Sequence, residues 1–330
     1  MARSRLTFAI EAGLVEFPET GDIAVFQPTA LTDISELPKQ RVVAVQGFYP
    51  DHQLLTDQDF RTQTDVKGVF GSALVFLPRS KAEGRAMIHR ALAITNGGPV
   101  VIDGQKTDGI DSILKACRAH GGHIGNVFSK AHGKIFILSG GDFSDWAPLG
   151  RIKNKDGFFT EAGVFSADAI DRGSAALVAG LPVKLSGNVA DLGAGWGYLA
   201  HHILQKDGVR ECHLIEAEHA ALECARTNVS DPRARFHWAD ARSFNVVSDF
   251  DHVVTNPPFH TSRVADPDLG RGFITAAARL LSRRGVVWLV ANRHLPYEQH
   301  LSETFKEVTE VAGDKSFKVF RARFPRPRKS

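Results

Sequence analysis

Val189-Ala190-Asp191-Leu192-Gly193-Ala194-Gly195-Trp196-Gly197-Tyr198 is a short apolar run that closes on a carboxylate and then turns on three glycines two residues apart. A helix-compatible stretch, Leu199 to Gln205, follows at once. Glycines accept positive φ and let a ligand approach the backbone, and the first turn of a helix offers unpaired N–H groups. The order strand, glycine turn, helix therefore predicts a nucleotide or nucleoside cradle. A dinucleotide fingerprint needs Gly-x-Gly-x-x-Gly, but counted from Gly193 the sixth position is Tyr198 and the third glycine arrives one residue early, at Gly197.

The Asp-x-Gly-x-Gly-x-Gly spacing fits S-adenosylmethionine instead, whose cationic methionine end benefits from the Asp191 carboxylate. Two more strands follow, Glu211 to Glu216 and Ala234 to Asp240, each ending on an acid. Glu216 is placed to accept both ribose hydroxyls, as an acid also does in NAD enzymes, and Asp240 to accept from an adenine amino group. Polar residues at the carboxyl ends of successive strands gather on one edge of a parallel sheet, where ligands bind in such folds. A single acid of this kind is more often a cap or a solvated loop residue; the spaced set reads as a cofactor site.

Further on, Phe250-Asp-His-Val-Val-Thr-Asn256-Pro257-Pro258-Phe259-His260 carries an amide and two prolines out of a short apolar strand. Consecutive prolines lack N–H donors and fix φ near −65°, so the chain must leave the strand as a rigid, non-helical loop. Its carbonyls and the Asn256 side chain are free to accept hydrogen bonds. An exocyclic amine or a side-chain amide is a poor nucleophile because its lone pair is delocalised. Two acceptors on its two hydrogens would pull the nitrogen toward tetrahedral geometry and aim the lone pair at a methyl donor. Phe259 would offer a stacking face, worth roughly 1 to 3 kcal/mol per base. Alone, the tetrapeptide reads equally well as a turn after a buried strand; the cradle upstream favours chemistry.

With these motifs, residues from about 150 to 324 resemble a class I S-adenosylmethionine-dependent methyltransferase, and more closely the bacterial ribosomal-RNA guanine-N2 methyltransferases of the small-subunit methyltransferase C type. The likeness extends to Gly163-Val-Phe-Ser166, Asp171-Arg-Gly-Ser174, Val290-Ala-Asn292-Arg-His-Leu-Pro-Tyr297 and Phe317-Lys-Val-Phe320-Arg-Ala322. It implies a seven-stranded, mostly parallel sheet with helices on both faces and a final antiparallel strand, Phe317 to Arg323, beside Gly285 to Val290. It assigns Asp191, Gly193, Ala194, Gly195, Gly197, Glu216, Asp240 and Ala241 to S-adenosylmethionine, and Asn256, Pro257, Pro258 and Phe259 to the target base, with no metal. Trp196 stands where the family often has a smaller residue.

A chain of 330 residues is long enough for two domains. Three cysteines without a Cys-x-x-Cys pair argue against a disulfide framework or a zinc site and point to a reducing cytoplasm. The N-terminus shows neither a signal peptide nor a membrane span. The net charge is +3, and its distribution is uneven. Residues 1 to 150 carry 15 basic and 16 acidic groups and residues 151 to 320 carry 20 and 21, whereas the last ten, Arg321 to Ser330, carry five basic groups and no acid. Such an end favours phosphate contacts, or is simply a solvated tail.

The first half repeats an order found in the second. Val69 to Pro78, a helical stretch Gly84 to Ile94 and a Gly-led strand Gly97 to Asp103 parallel Phe250 to Pro258, Leu269 to Leu281 and Gly285 to Val290. This alignment sets Leu77 opposite Asn256 and Pro78 opposite Pro257, and takes Arg41 to Gly47 as the counterpart of the cradle strand. The expectation is two tandem Rossmann-like α/β methyltransferase domains. Residues 1–148 form the degenerate one, a support in which Arg79, Lys81, Arg85 and Arg90 read either as part of an RNA-gripping surface or, as such runs more often are, as a solvated helix face. Residues 149–330 form the catalytic one, opening with a small hairpin around Asp156-Gly157. The expected reaction is methylation of a guanine N2 in ribosomal RNA or an assembled subunit by a cytoplasmic monomer. Methylation of adenine N6 or of a protein glutamine by the same loop is one alternative; a non-catalytic RNA-binding assembly factor is another.

Overall fold

The computed structural model describes residues 4–327 except 246–248, 259, 262, 263 and 266. The chain divides into two compact units, Met1–Gly150 and Arg151–Ser330. The break follows Leu149, which is exposed, and Gly150, whose φ of +66° suits a connecting turn.

In the first unit, helix α1 (Arg5–Glu11) precedes strands β1 (Ile23–Phe26) and β2 (Val42–Val45), then α2 (Tyr49–Asp57), β3 (Arg61–Gln63) and β4 (Ser72–Phe76). Helix α3 (Lys81–Ile94), β5 (Val100–Gln105), α4 (Ile110–Ala119), β6 (His123–Lys130) and β7 (Gly133–Ser139) complete it. The sheet order is β3-β2-β1-β4-β5-β7-β6, with β7 antiparallel to both neighbours and the rest parallel. Strands β1 and β2 are buried at every position, as central parallel strands covered on both faces must be.

The second unit opens with the expected hairpin, β8 (Ile152–Lys153) against β9 (Phe159–Thr160), turning through Gly157 at φ +87°. It continues through α5 (Arg172–Gly180), β10 (Lys184–Leu192), α6 (Tyr198–Leu204), β11 (Asp207–Glu216), α7 (His219–Asn228), β12 (Ala234–Trp238) and β13 (Phe250–Thr255). A small pair, β14 (His260–Thr261) and β15 (Val264–Ala265), leads to α8 (Pro267–Leu280), β16 (Leu281–Asn292), α9 (Tyr297–Thr304), β17 (Phe305–Gly313) and β18 (Phe317–Pro325). The order β12-β11-β10-β13-β16-β18-β17 repeats that of the first unit strand for strand. As the resemblance implied, the antiparallel strand is β18, pairing Phe317 with Asn292 and Arg323 with Val286.

Side chains alternate across the second sheet with the period of two that a strand imposes. Ala190, Leu192, Val253, Val287 and Leu289 face one core with Phe273, Ile274 and Ala277 of α8. Val189, Leu214, Val254 and Val290 face the other, with Leu177 of α5, Leu199 and Ile203 of α6 and Ala225 of α7. Asp191 falls on this second face, and it is fully buried.

Register corrects two details of the internal alignment. The central strand of the first unit, equivalent to β10, is β1, whereas Arg41 to Gly47 belongs to β2, the equivalent of β11. The four apolar residues of β1 are followed by Gln27-Pro28-Thr29-Ala30 rather than by glycines, so nothing in the sequence marks it as the counterpart of the cradle strand. Phe26 pairs with Val45 and Val75 as Leu192 pairs with Ile215 and Thr255. Phe76, rather than Leu77, therefore occupies the position of Asn256, a one-residue slip that apolar runs on both sides made invisible.

Candidate active site

The site is assembled at the carboxyl edge of the second sheet, where β10 ends between β11 and β13. Thr255 closes β13 opposite Leu192, and its buried hydroxyl donates to the Leu192 carbonyl at 2.7 Å. The register therefore sets the Gly193 turn and Asn256 side by side, on the next residue of two adjacent parallel strands.

Gly193, Gly195 and Gly197 all have positive φ, at +73°, +56° and +91°. Gly193 and Ala194 donate their backbone N–H groups to the Ile215 carbonyl, which folds the turn back over β11. The three glycines are needed for different reasons. A Cβ at Gly197 would press on Val229 and Ala225 of α7, and one at Gly193 would meet the Phe273 ring at 3.2 Å. At Gly195 a Cβ would meet nothing within 4 Å, so the space over this residue is open to a ligand.

Glu216 braces the turn. One carboxylate oxygen accepts from Gly195 N–H and the other from Glu218 N–H, both at 2.7 Å. Burial raises its carboxyl above the usual range, against these backbone donors. Asp191 is more extreme. Among the described residues neither of its oxygens has a hydrogen-bond partner, and burial together with the Glu216 charge pushes its carboxyl up to about 8. The Ala200 backbone amide acts in the opposite direction without forming a hydrogen bond of ordinary geometry.

Asp240 follows β12, with its carboxylate clasped by the Arg242 guanidinium at 2.8 Å and by the Arg242 N–H at 2.9 Å. An adenine amino group would have to share those oxygens. Ala241 is buried beside it. Trp196 turns its indole away from the open turn and into a satellite cluster, donating Nε1–H to the Phe165 carbonyl at 3.0 Å and packing on Phe158 of the opening hairpin. A large residue is accommodated here because it fastens the hairpin segment to the cradle.

Asn256 is half-buried, Pro257 buried and Pro258 exposed; Phe259 lies outside the described residues. The Asn256 amide nitrogen donates to Asp171 Oδ2 and to Ser174 Oγ, each at 2.9 Å. These partners lie 85 and 82 residues earlier. Asp171-Arg-Gly-Ser174 carried part of the resemblance but no assigned role; its usable signal was that of a helix start, an Asp three residues before a Ser. Asp171 does cap α5, accepting from Ser174 N–H at 2.8 Å.

The first unit retains the frame of this site without its chemistry. Gln27, directly after β1, has φ +56° and donates to the Val45 carbonyl, as Gly193 does to Ile215. Gln46 stands where Glu216 does and accepts from Phe48 N–H at 2.8 Å. Its other end donates to the Pro28 carbonyl at 2.9 Å, because a loop containing proline presents an oxygen where the cradle presents N–H. Val25 stands at the position of Asp191. Of the basic side chains expected on its surface, Arg90 pairs with Asp65 and Arg85 lies over the Trp146 ring.

The family model described as methyltransferase small domain matches residues 155–321, just over half of the chain. The chain belongs to the methyltransferase small domain family. Ribosomal RNA small subunit methyltransferase C of Shewanella pealeana is 28% identical to it over 281 residues, 82% of this chain and 79% of that protein. Ribosomal RNA large subunit methyltransferase G of Aeromonas salmonicida is 34% identical over 167 residues, 49% of this chain and 44% of that protein. Among solved structures, a T. thermophilus 16S rRNA N2 methyltransferase in complex with AdoMet and guanosine superposes with a TM-score of 0.78 at 23% identity, covering 94% of this chain and 90% of that one. The tandem arrangement of two seven-stranded units is thus a fold shared with another protein. Within this methyltransferase small domain, the match begins in the hairpin loop and ends in β18, so it contains the whole site described above. Among the described residues no helix is long and apolar enough to cross a membrane.

Proposed function

We propose that this methyltransferase transfers a methyl group from S-adenosylmethionine to the exocyclic N2 of a guanine in ribosomal RNA. The observation that carries the proposal is the placement of Asn256-Pro257-Pro258 one strand away from the Gly193–Gly197 turn, at the same level of the sheet. Support for the substrate comes from relatives named for small-subunit ribosomal RNA that span about four fifths of the chain.

The residues present fit the cofactor. Asp191 is a buried carboxyl with no hydrogen-bond partner among the described residues, and a cationic ligand would stabilise its ionised form, which is costly to leave buried and unpaired. Gly195 leaves room above the backbone. Glu216 has lone pairs left beyond its two backbone donors to accept ribose hydroxyls. Gly193, Ala194, Gly197 and Ala241 complete the pocket, with Asp240 reaching the adenine side alongside Arg242. When bound, the sulfonium supplies an electrophilic methyl group.

The chain's own part is alignment. Asn256 Oδ1 and the Pro257 carbonyl accept the two N2 hydrogens, drawing the lone pair out of conjugation, and Phe259 and Pro258 hold the ring. Placing a nucleophile at its reaction distance among oriented dipoles can remove many kcal/mol from a barrier. The base is presented unstacked, at a cost of a few kcal/mol. After transfer the nitrogen is cationic and strongly acidic, so water or a loop carbonyl takes the proton and no dedicated base is required.

The first unit serves as a support that helps grip RNA, and the protein works as a cytoplasmic monomer. Of the basic C-terminal end, Arg321 and Arg323 lie within β18, Arg323 reaches Glu307 at 3.6 Å, and Arg326 donates to the Phe305 carbonyl at 3.2 Å. These three are anchored in the fold and present a fixed rather than a trailing positive surface. The test is transfer of tritium from labelled S-adenosylmethionine to unmodified ribosomal RNA and to both subunits, followed by nucleoside analysis. Label in N2-methylguanosine supports the proposal. Label in N6-methyladenosine or in protein overturns the substrate, and no label in any fraction overturns the activity.

A further inference from the structure

The one catalytic side chain with an ambiguous polarity is Asn256. A terminal amide can present either end to a substrate by turning half a revolution, and the two ends do opposite things. With its oxygen forward, Asn256 accepts a hydrogen from an amine. With its nitrogen forward it would donate, and would favour a ring nitrogen or a carbonyl. Something in the protein must choose.

We infer that Asp171 and Ser174 are positioning residues that lock Asn256 with its carbonyl oxygen toward the substrate, and that this lock restricts the enzyme to exocyclic amines. The inference rests on the proposed methyl transfer to such an amine. Asn256 Nδ2 donates to Asp171 Oδ2 and Ser174 Oγ, both at 2.9 Å, so both amide hydrogens are committed. Among the described residues no group donates to Oδ1. A carboxylate only accepts, so Asp171 would repel the turned amide; Ser174 by itself would tolerate either end.

The lock is itself held. Asp171 Oδ2 takes Ser174 N–H at 2.8 Å as the cap of α5, Ser174 is buried, and Leu177, one turn on, is in the core against the sheet. Next to Asp171 the chain cannot thicken, since a Cβ on Gly173 would lie 2.9 Å from Asp171 Oδ2 and 3.1 Å from the Phe317 ring. Orientation at the reacting nitrogen is thereby tied to the packing of α5 on β16 and β18. The requirement for an amine with two hydrogens follows. One hydrogen goes to Asn256 Oδ1 and one to the loop carbonyl, whereas a ring nitrogen without a hydrogen would meet only oxygens.

The experiment compares Asp171→Ala, Asp171→Asn, Ser174→Ala and Ser174→Thr in the full chain. It reads turnover at saturating RNA and cofactor, KM for RNA, cofactor affinity, melting temperature and the methylated nucleoside. Asp171→Ala and Ser174→Ala are expected to lower kcat tenfold to a hundredfold while cofactor affinity stays within twofold. Asp171→Asn keeps an oxygen for both the cap and the amide, and Ser174→Thr keeps the hydroxyl, so each is expected to stay within about threefold of the parent. Alanine variants with unchanged kcat would overturn the inference, as would a loss of activity that merely follows melting temperature and cofactor affinity. Should Asp171→Ala fail to fold, Ser174→Ala carries the comparison. A parent that methylates an amine other than guanine N2 overturns the substrate reading alone, with the same kcat ratios then read on that product. A parent that methylates a ring nitrogen or a hydroxyl overturns the lock, and one that transfers nothing overturns both.

Discussion

Thr255 and Leu192 are joined by a buried hydrogen bond of 2.7 Å that ties the strand leading to Asn256 to the strand leading to the glycine turn. It ties together the two halves of the proposed site at the point where both strands leave the sheet. Thr255→Val keeps the shape and removes the bond. The expected cost is about 1 kcal/mol of stability, seen in urea denaturation, with a larger fall in single-turnover rate than in cofactor affinity, because separation of the loops weakens alignment more than binding.

Asp191 gives the free protein a pH dependence of defined sign. Its carboxyl stands at about 8 in the folded state against 3.8 as the ordinary value, so folding takes up a proton between those limits. This contribution to stability is complete below pH 4 and is lost as pH rises toward 8, at no more than about 1.4 kcal/mol per pH unit. Cofactor binding should run the other way, tightening from pH 6 to 8 as the carboxylate ionises for its cationic ligand. Asp191→Asn is expected to flatten both profiles and to weaken binding at pH 8. Calorimetric titration across that range checks it, and an unchanged profile in the variant would exclude Asp191 as the counter-charge.

Gly195 separates fold from ligand binding more cleanly than its neighbours. Alanine there must adopt φ near +56° but meets no protein atom, so its cost to the fold is strain alone, on the order of 1 kcal/mol. The added methyl group occupies the open space above the turn. Gly195→Ala should therefore keep a melting temperature within a few degrees of the parent while cofactor affinity drops at least tenfold. Equal cofactor affinity in the two proteins would mean the ligand lies elsewhere.

The first unit depends on a buried ion pair. Arg5 Nε donates to Asp103 Oδ1 at 2.9 Å, and the two side chains are 7% and 8% exposed. Nη1 of the same guanidinium donates to the Lys130 carbonyl at 2.8 Å, so α1, β5 and the end of β6 meet on one side chain. Arg5→Ala leaves Asp103 buried without its partner, at a cost of about 3 to 5 kcal/mol. Hydrogen exchange should accelerate through β5 and β6 while β10 and β13 keep their protection. Uniform acceleration over both units would show that they unfold together.

Much of this protein was legible in its sequence, for reasons tied to short-range chemistry. The glycines at 193, 195 and 197 announce positive φ because other residues avoid it, and the prolines at 257 and 258 announce the end of a strand because they cannot donate. Asp191, Glu216 and Asn256 stand out as polar groups closing apolar runs. The order of strands and proline turns also declared two copies of one fold, although the copies could not be aligned to the residue, since Phe76 and Leu77 are both apolar and only the pairing of Phe26 with Val75 shows that Phe76 is the next residue on. What the sequence could not decide is which partner each polar atom takes, because that depends on segments far apart in the chain meeting in space. Tertiary structure alone left Asp191 without a hydrogen-bond partner among the described residues, turned Trp196 into the hairpin cluster, and brought Asp171 and Ser174 to the Asn256 amide. Backbone geometry is encoded locally by residue type; the direction in which a side chain's hydrogen bonds point is settled only when the sheet edge is complete.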